Sequence, residues 1–289
     1  MVTPFAQDGA IDNTAFCRLI DRQIKGGADA LVVLGTTGEN ATIWPDERRR
    51  LVDLALEHTA GRLPVIIGTG NNSTSESIVF SKEAAASGAD GLLVVGPYYN
   101  KPTQLGFEAH VAAIADATDR PIILYNVPGR TSFNATAETT LRIADAVPSV
   151  VGVKEASGDL AQISDILAHR TDRLAVYAGD DEMALPLLAL GADGVISVVS
   201  NVLPRQFGGL VRAGLAGDFS AAKALQFGQL EAMRACFYET NPVPVKTVLA
   251  DMGLIQLYLR LPLVAMTPDN RDRVIAAFEP LLEGENSAL

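Results

Sequence analysis

At 289 residues, 48% hydrophobic and 20% charged, the chain has the balance of a soluble globular protein, long enough for one large α/β barrel or two ordinary domains. Its net charge of −11 opposes nucleic acid or an anionic membrane as partner. No apolar run is long enough for a membrane span, no leader pattern marks a signal peptide, and two distant cysteines, Cys17 and Cys236, read as reduced thiols of a cytoplasmic protein.

The chain opens on Met1-Val2-Thr3-Pro4-Phe5, where a first strand should be ending, so that strand is expected to be truncated or a stub. Strands follow at 30–34, 64–68, 91–95, 121–125, 150–154, 174–178 and 194–198. Helical patterns separate them near 12–26, 45–60, 74–87, 104–117, 136–146, 159–169 and 181–190. A short motif recurs three times: Gly27-Ala28-Asp29, Gly88-Ala89-Asp90 and Gly191-Ala192-Asp193 each precede an apolar strand. Each reads as a helix C-cap glycine followed by a buried strand, at intervals of roughly two and three βα units of about 30 residues.

Strands alternating with helices mean a parallel β/α architecture, and near-continuous apolar strands mean a sheet covered on both faces. The fold class expected is α/β, a (β/α)8 TIM barrel over 1–200 with its first strand truncated. Residues 201–289 are expected to form a C-terminal helical domain packed on the barrel, with helices near 204–216, 218–238, 243–252 and 270–282. An open doubly wound sheet is the competing architecture, since it needs no eighth strand.

The three histidines, His58, His110 and His169, fall inside helical patterns and none ends a strand. Metal and histidine-triad chemistry are therefore not expected, and no cofactor is implied. Lys154 does end a strand, Val150-Val151-Gly152-Val153-Lys154. Alternation places it on the face of Gly152 and Val150, inside a sheet whose valines face the helices. A desolvated amine is a nucleophile toward carbonyls, although a strand-end lysine can also simply reach water.

Other chemistry-bearing groups lie at the same ends of neighbouring strands: Gly35-Thr36-Thr37-Gly38-Glu39-Asn40, Gly96-Pro97-Tyr98-Tyr99-Asn100, Tyr125-Asn126-Val127-Pro128-Gly129-Arg130-Thr131 and Gly179-Asp180-Asp181. The Thr36-Thr37 segment reads either as a turn or as an anion pocket, Tyr98-Tyr99 as packing aromatics or hydroxyl donors, and Arg130 as a solvated charge or a carboxylate clamp. Gly68-Thr69-Gly70-Asn71-Asn72-Ser73 imitates a phosphate loop but reads as a turn, lacking the following Lys-Ser/Thr. Lys246, in Asn241-Pro242-Val243-Pro244-Val245-Lys246, is a rival lysine inside the helical extension. Together, an amine, a carboxylate pocket and several hydroxyls suit a Schiff-base enzyme of a 2-oxo acid.

These strings, with Val153-Lys154-Glu155-Ala156-Ser157-Gly158 and Gly194-Val195-Ile196-Ser197-Val198, resemble the dihydrodipicolinate synthase family. That family belongs to the pyruvate-dependent class I aldolase superfamily, with N-acetylneuraminate lyase. The resemblance covers essentially the whole chain. It implies a lyase condensing pyruvate with L-aspartate 4-semialdehyde to 4-hydroxy-tetrahydrodipicolinate, in lysine and diaminopimelate biosynthesis. It implies Lys154 as the Schiff-base residue and Thr37, Tyr99 and Tyr125 as the proton relay. It implies Thr36 and Thr37 as the pyruvate carboxylate pocket, Arg130 as the clamp for the semialdehyde carboxylate, and Gly179 and Ile196 as positions whose carbonyls line the site. It further implies a homotetramer built as a dimer of dimers, with the position of Tyr99 reaching a neighbouring subunit's site.

The chain departs from the family at its short start and at the lysine feedback site. Asn72, Glu76 and Tyr98 match that site, but Asn40, Pro45 and Arg48 stand where lysine-sensitive bacterial members tend to have serine and two histidines. Two other functions stay open on the sequence. One is an aldolase or dehydratase of a sugar-derived 2-oxo acid, against which Arg130 argues. The other is a non-catalytic binding protein, against which the intact Lys154, Tyr125, Tyr99 and Thr37 set argues.

Overall fold

A computed structural model describes residues 1–286. The chain divides into two compact units, Met1–Pro64 with Ser197–Leu289, and Val65–Ile196.

The second unit is a run of parallel βα repeats. Its strands are β2 (Val65–Gly68), β3 (Gly91–Val95), β4 (Ile122–Asn126), β5 (Val150–Glu155), β6 (Ala175–Ala178) and β7 (Gly194–Val195), each paired with the next. The helices are α3 (Thr74–Ser87), α4 (Gln104–Ala115), α5 (Pro128–Thr131), α6 (Ala137–Ala146), α7 (Leu160–His169) and α8 (Ala184–Ala189). Side-chain oxygens of Ser73, Thr103, Thr136 and Asp159 accept from the first free N–H groups of α3, α4, α6 and α7, which fixes where each begins. Leu92, Val94, Ile122, Val153 and Val176 on the strands and Phe107, Ile114, Ile143 and Ile166 on the helices are all buried. Each such side chain contributes about 1.5–3 kcal/mol.

The recurring Gly-Ala-Asp acquires a physical reason here. Gly88 caps α3 at φ +96°, and Gly191 follows α8 at φ +94°, backbone states open to glycine. The aspartate two residues on then accepts an N–H at the start of the preceding strand: Asp90 Oδ2 from Val65 N at 2.8 Å, and Asp193 Oδ2 from Val176 N, the second residue of β6, at 2.7 Å. One tripeptide thus stops a helix and satisfies a strand end.

The first unit holds α1 (Asn13–Lys25), β1 (Leu31–Val33) and α2 (Pro45–Thr59), then α9 (Pro204–Leu215), α10 (Phe219–Ala235), α11 (Val243–Asp251) and α12 (Pro268–Asn286). Met1–Pro4 forms no strand, yet the Met1 amine donates to Val32 O and Val2 N to Asn201 Oδ1, and Val2 is buried. Helix α12 is tied down by Glu285, whose two carboxylate oxygens accept from Arg205 N and Gln206 N at the start of α9.

Seven strands alternating with helices in chain order, followed by helices alone, agree with the expected elements to within a few residues. Three details differ. Residues 128–131, read as loop, form the short helix α5, because Pro128 supplies the fixed φ of a first helical turn. The expected strand 194–198 shortens to Gly194–Val195, since the chain turns into a 3-10 segment at Val199–Asn201. His169, expected inside a helix, is the last residue of α7.

Candidate active site

In the second unit the site is built at the ends of β4, β5 and β6. Tyr125, Lys154 and Tyr177 are direct partners in register across these strands. Lys154 is 8% exposed, and its Nζ sits 4.2 Å from the centre of the Tyr125 ring. Among the described residues the amine makes no ion pair and no hydrogen bond, so its lone pair, once deprotonated, is committed to nothing. Val153, one residue back, is fully buried on the opposite face, as alternation predicts. Gly152 leaves room on the lysine face: a Cβ there would lie 3.3 Å from the Tyr177 ring.

Gly179 is closer still. A Cβ on it would stand 2.7 Å from Ala156 Cβ and 3.1 Å from Lys154 Cε. Its N–H donates to Glu155 O at 2.7 Å, and Ile196 N donates to Ala178 O at 2.9 Å. Both residues therefore continue the parallel ladder past the ends of the neighbouring strands.

Glu155 faces away from Lys154 by alternation and is buried, with no cation paired to it among the described residues. Its carboxylate is held by neutral donors: Asn126 Nδ2 at 3.1 Å to both oxygens, Ser157 N at 2.8 Å and Gln162 Nε2 at 3.1 Å. Burial raises its pKa, and those hydrogen bonds work against the rise. Asn126 Oδ1 also accepts from Ala135 N, so this cluster joins β4, β5 and α7 behind the strand ends. Burial likewise raises the Tyr177 phenol, with a smaller push from Asp193.

Arg130 lies on α5 at the surface, and Thr131 beside it is buried with its hydroxyl donating to Phe133 O. Tyr99 is not packed against the lysine: it is 91% exposed and held at φ +68°. Tyr98 is less exposed than Tyr99, its phenol raised by burial and then by the Glu76 charge.

Thr36 and Thr37 lie in the first unit, on the 3-10 turn Thr36–Gly38 that follows β1. Thr37 Oγ1 accepts from Asn241 Nδ2 at 2.9 Å. Glu39, the next residue after the turn, sits at φ +55° and pairs with Lys246, Nζ to Oε1 at 2.6 Å. Lys246 is fully buried and also donates to Thr3 O. The rival lysine is thus occupied by structure, whereas Lys154 is not. Sequence reasoning passed over Tyr177, Asn241 and the Glu39–Lys246 pair. Strand alignment could have found Tyr177; the other contacts join residues about 200 positions apart.

The dihydrodipicolinate synthetase family model matches residues 1–280. A protein of Salinibacter ruber named 4-hydroxy-tetrahydrodipicolinate synthase is 60% identical over 98% of this chain and 94% of its own. The crystal structure of dihydrodipicolinate synthase from Aquifex aeolicus superposes with a TM-score of 0.95 at 40% identity, covering 97% of this chain and 95% of that one. The chloride-inhibited enzyme from Acinetobacter baumannii, solved in complex with pyruvate, superposes with a TM-score of 0.94 at 40% identity over 96% of each chain. Likeness at this level fixes the fold class as the β/α barrel with C-terminal helices.

Proposed function

The chain belongs to the dihydrodipicolinate synthetase family, and from that premise we propose that it condenses pyruvate with L-aspartate 4-semialdehyde to 4-hydroxy-tetrahydrodipicolinate through an iminium on Lys154. The observation that carries this reading is the buried Lys154 amine, uncommitted at a strand end over the Tyr125 ring. Its Nζ attacks the pyruvate ketone carbon, and water leaves as the iminium forms. A proton lost from the methyl group gives an enamine, whose carbon attacks the aldehyde of the second substrate. The amine of that substrate then displaces Lys154.

Each step moves a proton, and the roles proposed follow from the groups available. Tyr125, Thr37 and Tyr99 relay protons. Thr36 and Thr37 take the pyruvate carboxylate with hydroxyl and backbone N–H donors, Arg130 takes the semialdehyde carboxylate as a fork, and the carbonyls of Gly179 and Ile196 face the reacting carbons. Tyr99 is exposed and held at positive φ, a strained state that supports a functional role. We therefore infer a homotetramer in which Tyr99 serves a neighbour's site. We also infer a barrel over 1–200 with a helical domain over 201–289, and a cytoplasmic enzyme, which two free thiols suit.

The test is a coupled assay in which pyruvate and aspartate semialdehyde feed a downstream NADPH-dependent reductase. A rate that requires both substrates is expected. Folded, oligomeric protein with no rate, yet able to release pyruvate from a sugar-derived 2-oxo acid, would transfer the assignment to the aldolase alternative.

Lysine feedback is expected to be weak or absent. By the resemblance, Arg48 stands where lysine-sensitive members tend to have a histidine, and a fixed positive charge at that position opposes a cationic ligand. Titration of lysine into the coupled assay should give half-maximal inhibition only above millimolar concentration. Tighter inhibition would show that Asn72, Glu76 and Tyr98 suffice without the missing histidines.

A further inference from the structure

We propose that Asn241 is a positioning residue for the reaction: its side-chain amide sets the direction in which the Thr37 hydroxyl points its proton. This rests on the reading of Thr37 as a relay hydroxyl. Asn241 Nδ2 donates to Thr37 Oγ1 at 2.9 Å, and Asn241 is 4% exposed. A hydroxyl has one proton and two acceptor lone pairs. With an amide hydrogen fixed on one lone pair, the Thr37 proton is turned away from Asn241, and the oxygen becomes a better proton donor toward whatever lies on its open side. Were the amide reversed, its oxygen would draw the Thr37 proton inward and silence the relay.

The backbone of the turn does not depend on this bond. Gly38 N donates to Gly35 O and Glu39 N to Thr36 O, closing the turn itself. Thr3 Oγ1 donates to Gly38 O at 2.7 Å, and Lys246 holds the Glu39 carboxylate. Lys246 lies on α11, five residues after Asn241, so the same anchor that fixes the turn fixes the amide donor. Four contacts hold the turn without Asn241, and the fifth falls on the Thr37 hydroxyl.

The discriminating experiment compares Asn241→Ala and Asn241→Asp, each in the native background and in Thr37→Val. The readouts are kcat, KM for pyruvate, and exchange of the pyruvate methyl hydrogens with deuterated water. Alanine removes the donor and should slow exchange about tenfold with KM changed little. Aspartate can only accept from the hydroxyl and should slow exchange about tenfold further. In the Thr37→Val background, where there is no hydroxyl to orient, both changes should be silent. Equal losses in both backgrounds would mean that Asn241 only supports the fold, and the proposal fails. If Thr37→Val itself exchanges at the native rate, the relay reading of Thr37 fails instead. If Thr37→Val is slow while both Asn241 variants match the native enzyme, the relay stands and Asn241 has no part in it.

Discussion

Lys154→Ala and Lys154→Arg should both lose activity by about 10⁴-fold or more, the scale on which a covalent nucleophile is missed. The arginine variant is the sharper of the two. It keeps the charge and most of the buried volume beside Tyr125, but a guanidinium does not deprotonate and cannot form the iminium. Native protein incubated with pyruvate and borohydride should gain one reduced adduct by mass, and neither variant should. An adduct that persists on Lys154→Arg would place the nucleophile elsewhere. Lys246 is a poor substitute, because its ammonium is already bound to Glu39 and to Thr3 O.

The second large effect is on stability. Lys246→Met should destabilise the protein by about 3–5 kcal/mol, since it leaves the buried Glu39 carboxylate without its paired ammonium, with only the longer-range charge of Arg260 to offset it. Burial lowers the Lys246 pKa and the adjacent carboxylate pulls it back, so the pair is held together by mutual need rather than by ease of burial. The ammonium also lies 4.4 Å from the Phe5 ring centre, which a methionine would still pack. Adding Glu39→Gln to Lys246→Met should therefore recover a substantial part of the loss, because the stranded charge is then gone. Urea midpoints of the native, single and double variants measure this. A double variant no more stable than Lys246→Met would show that Lys246 acts through packing and its bond to Thr3, not through charge.

Much of this architecture is written locally. Helix starts at Ser73, Thr103, Thr136 and Asp159, and the stops at Gly88 and Gly191, depend on residues within one turn of the event they control. Alternation along Val150–Lys154 was enough to put the lysine opposite Val153. Contacts that lack a local signature were invisible. Nothing in the pattern around Asn241 says that its amide reaches Thr37, and nothing in Val-Lys-Glu says that Glu155 is held by Asn126 and Gln162. The short end of β7 was missed for a related reason: Ile196, Val198 and Val199 are apolar whether the chain extends or turns.

Gly179 also bears on how this enzyme can change over generations. Any amino acid that a single base change could put there carries a Cβ, and that atom would press on Ala156 and on the methylene next to the Lys154 amine. No small step is open at this position, so drift cannot explore it one residue at a time. A descendant acting on a bulkier or differently charged acid would have to vary elsewhere, on elements such as α5, where a Cβ on Gly129 would meet nothing within 4 Å.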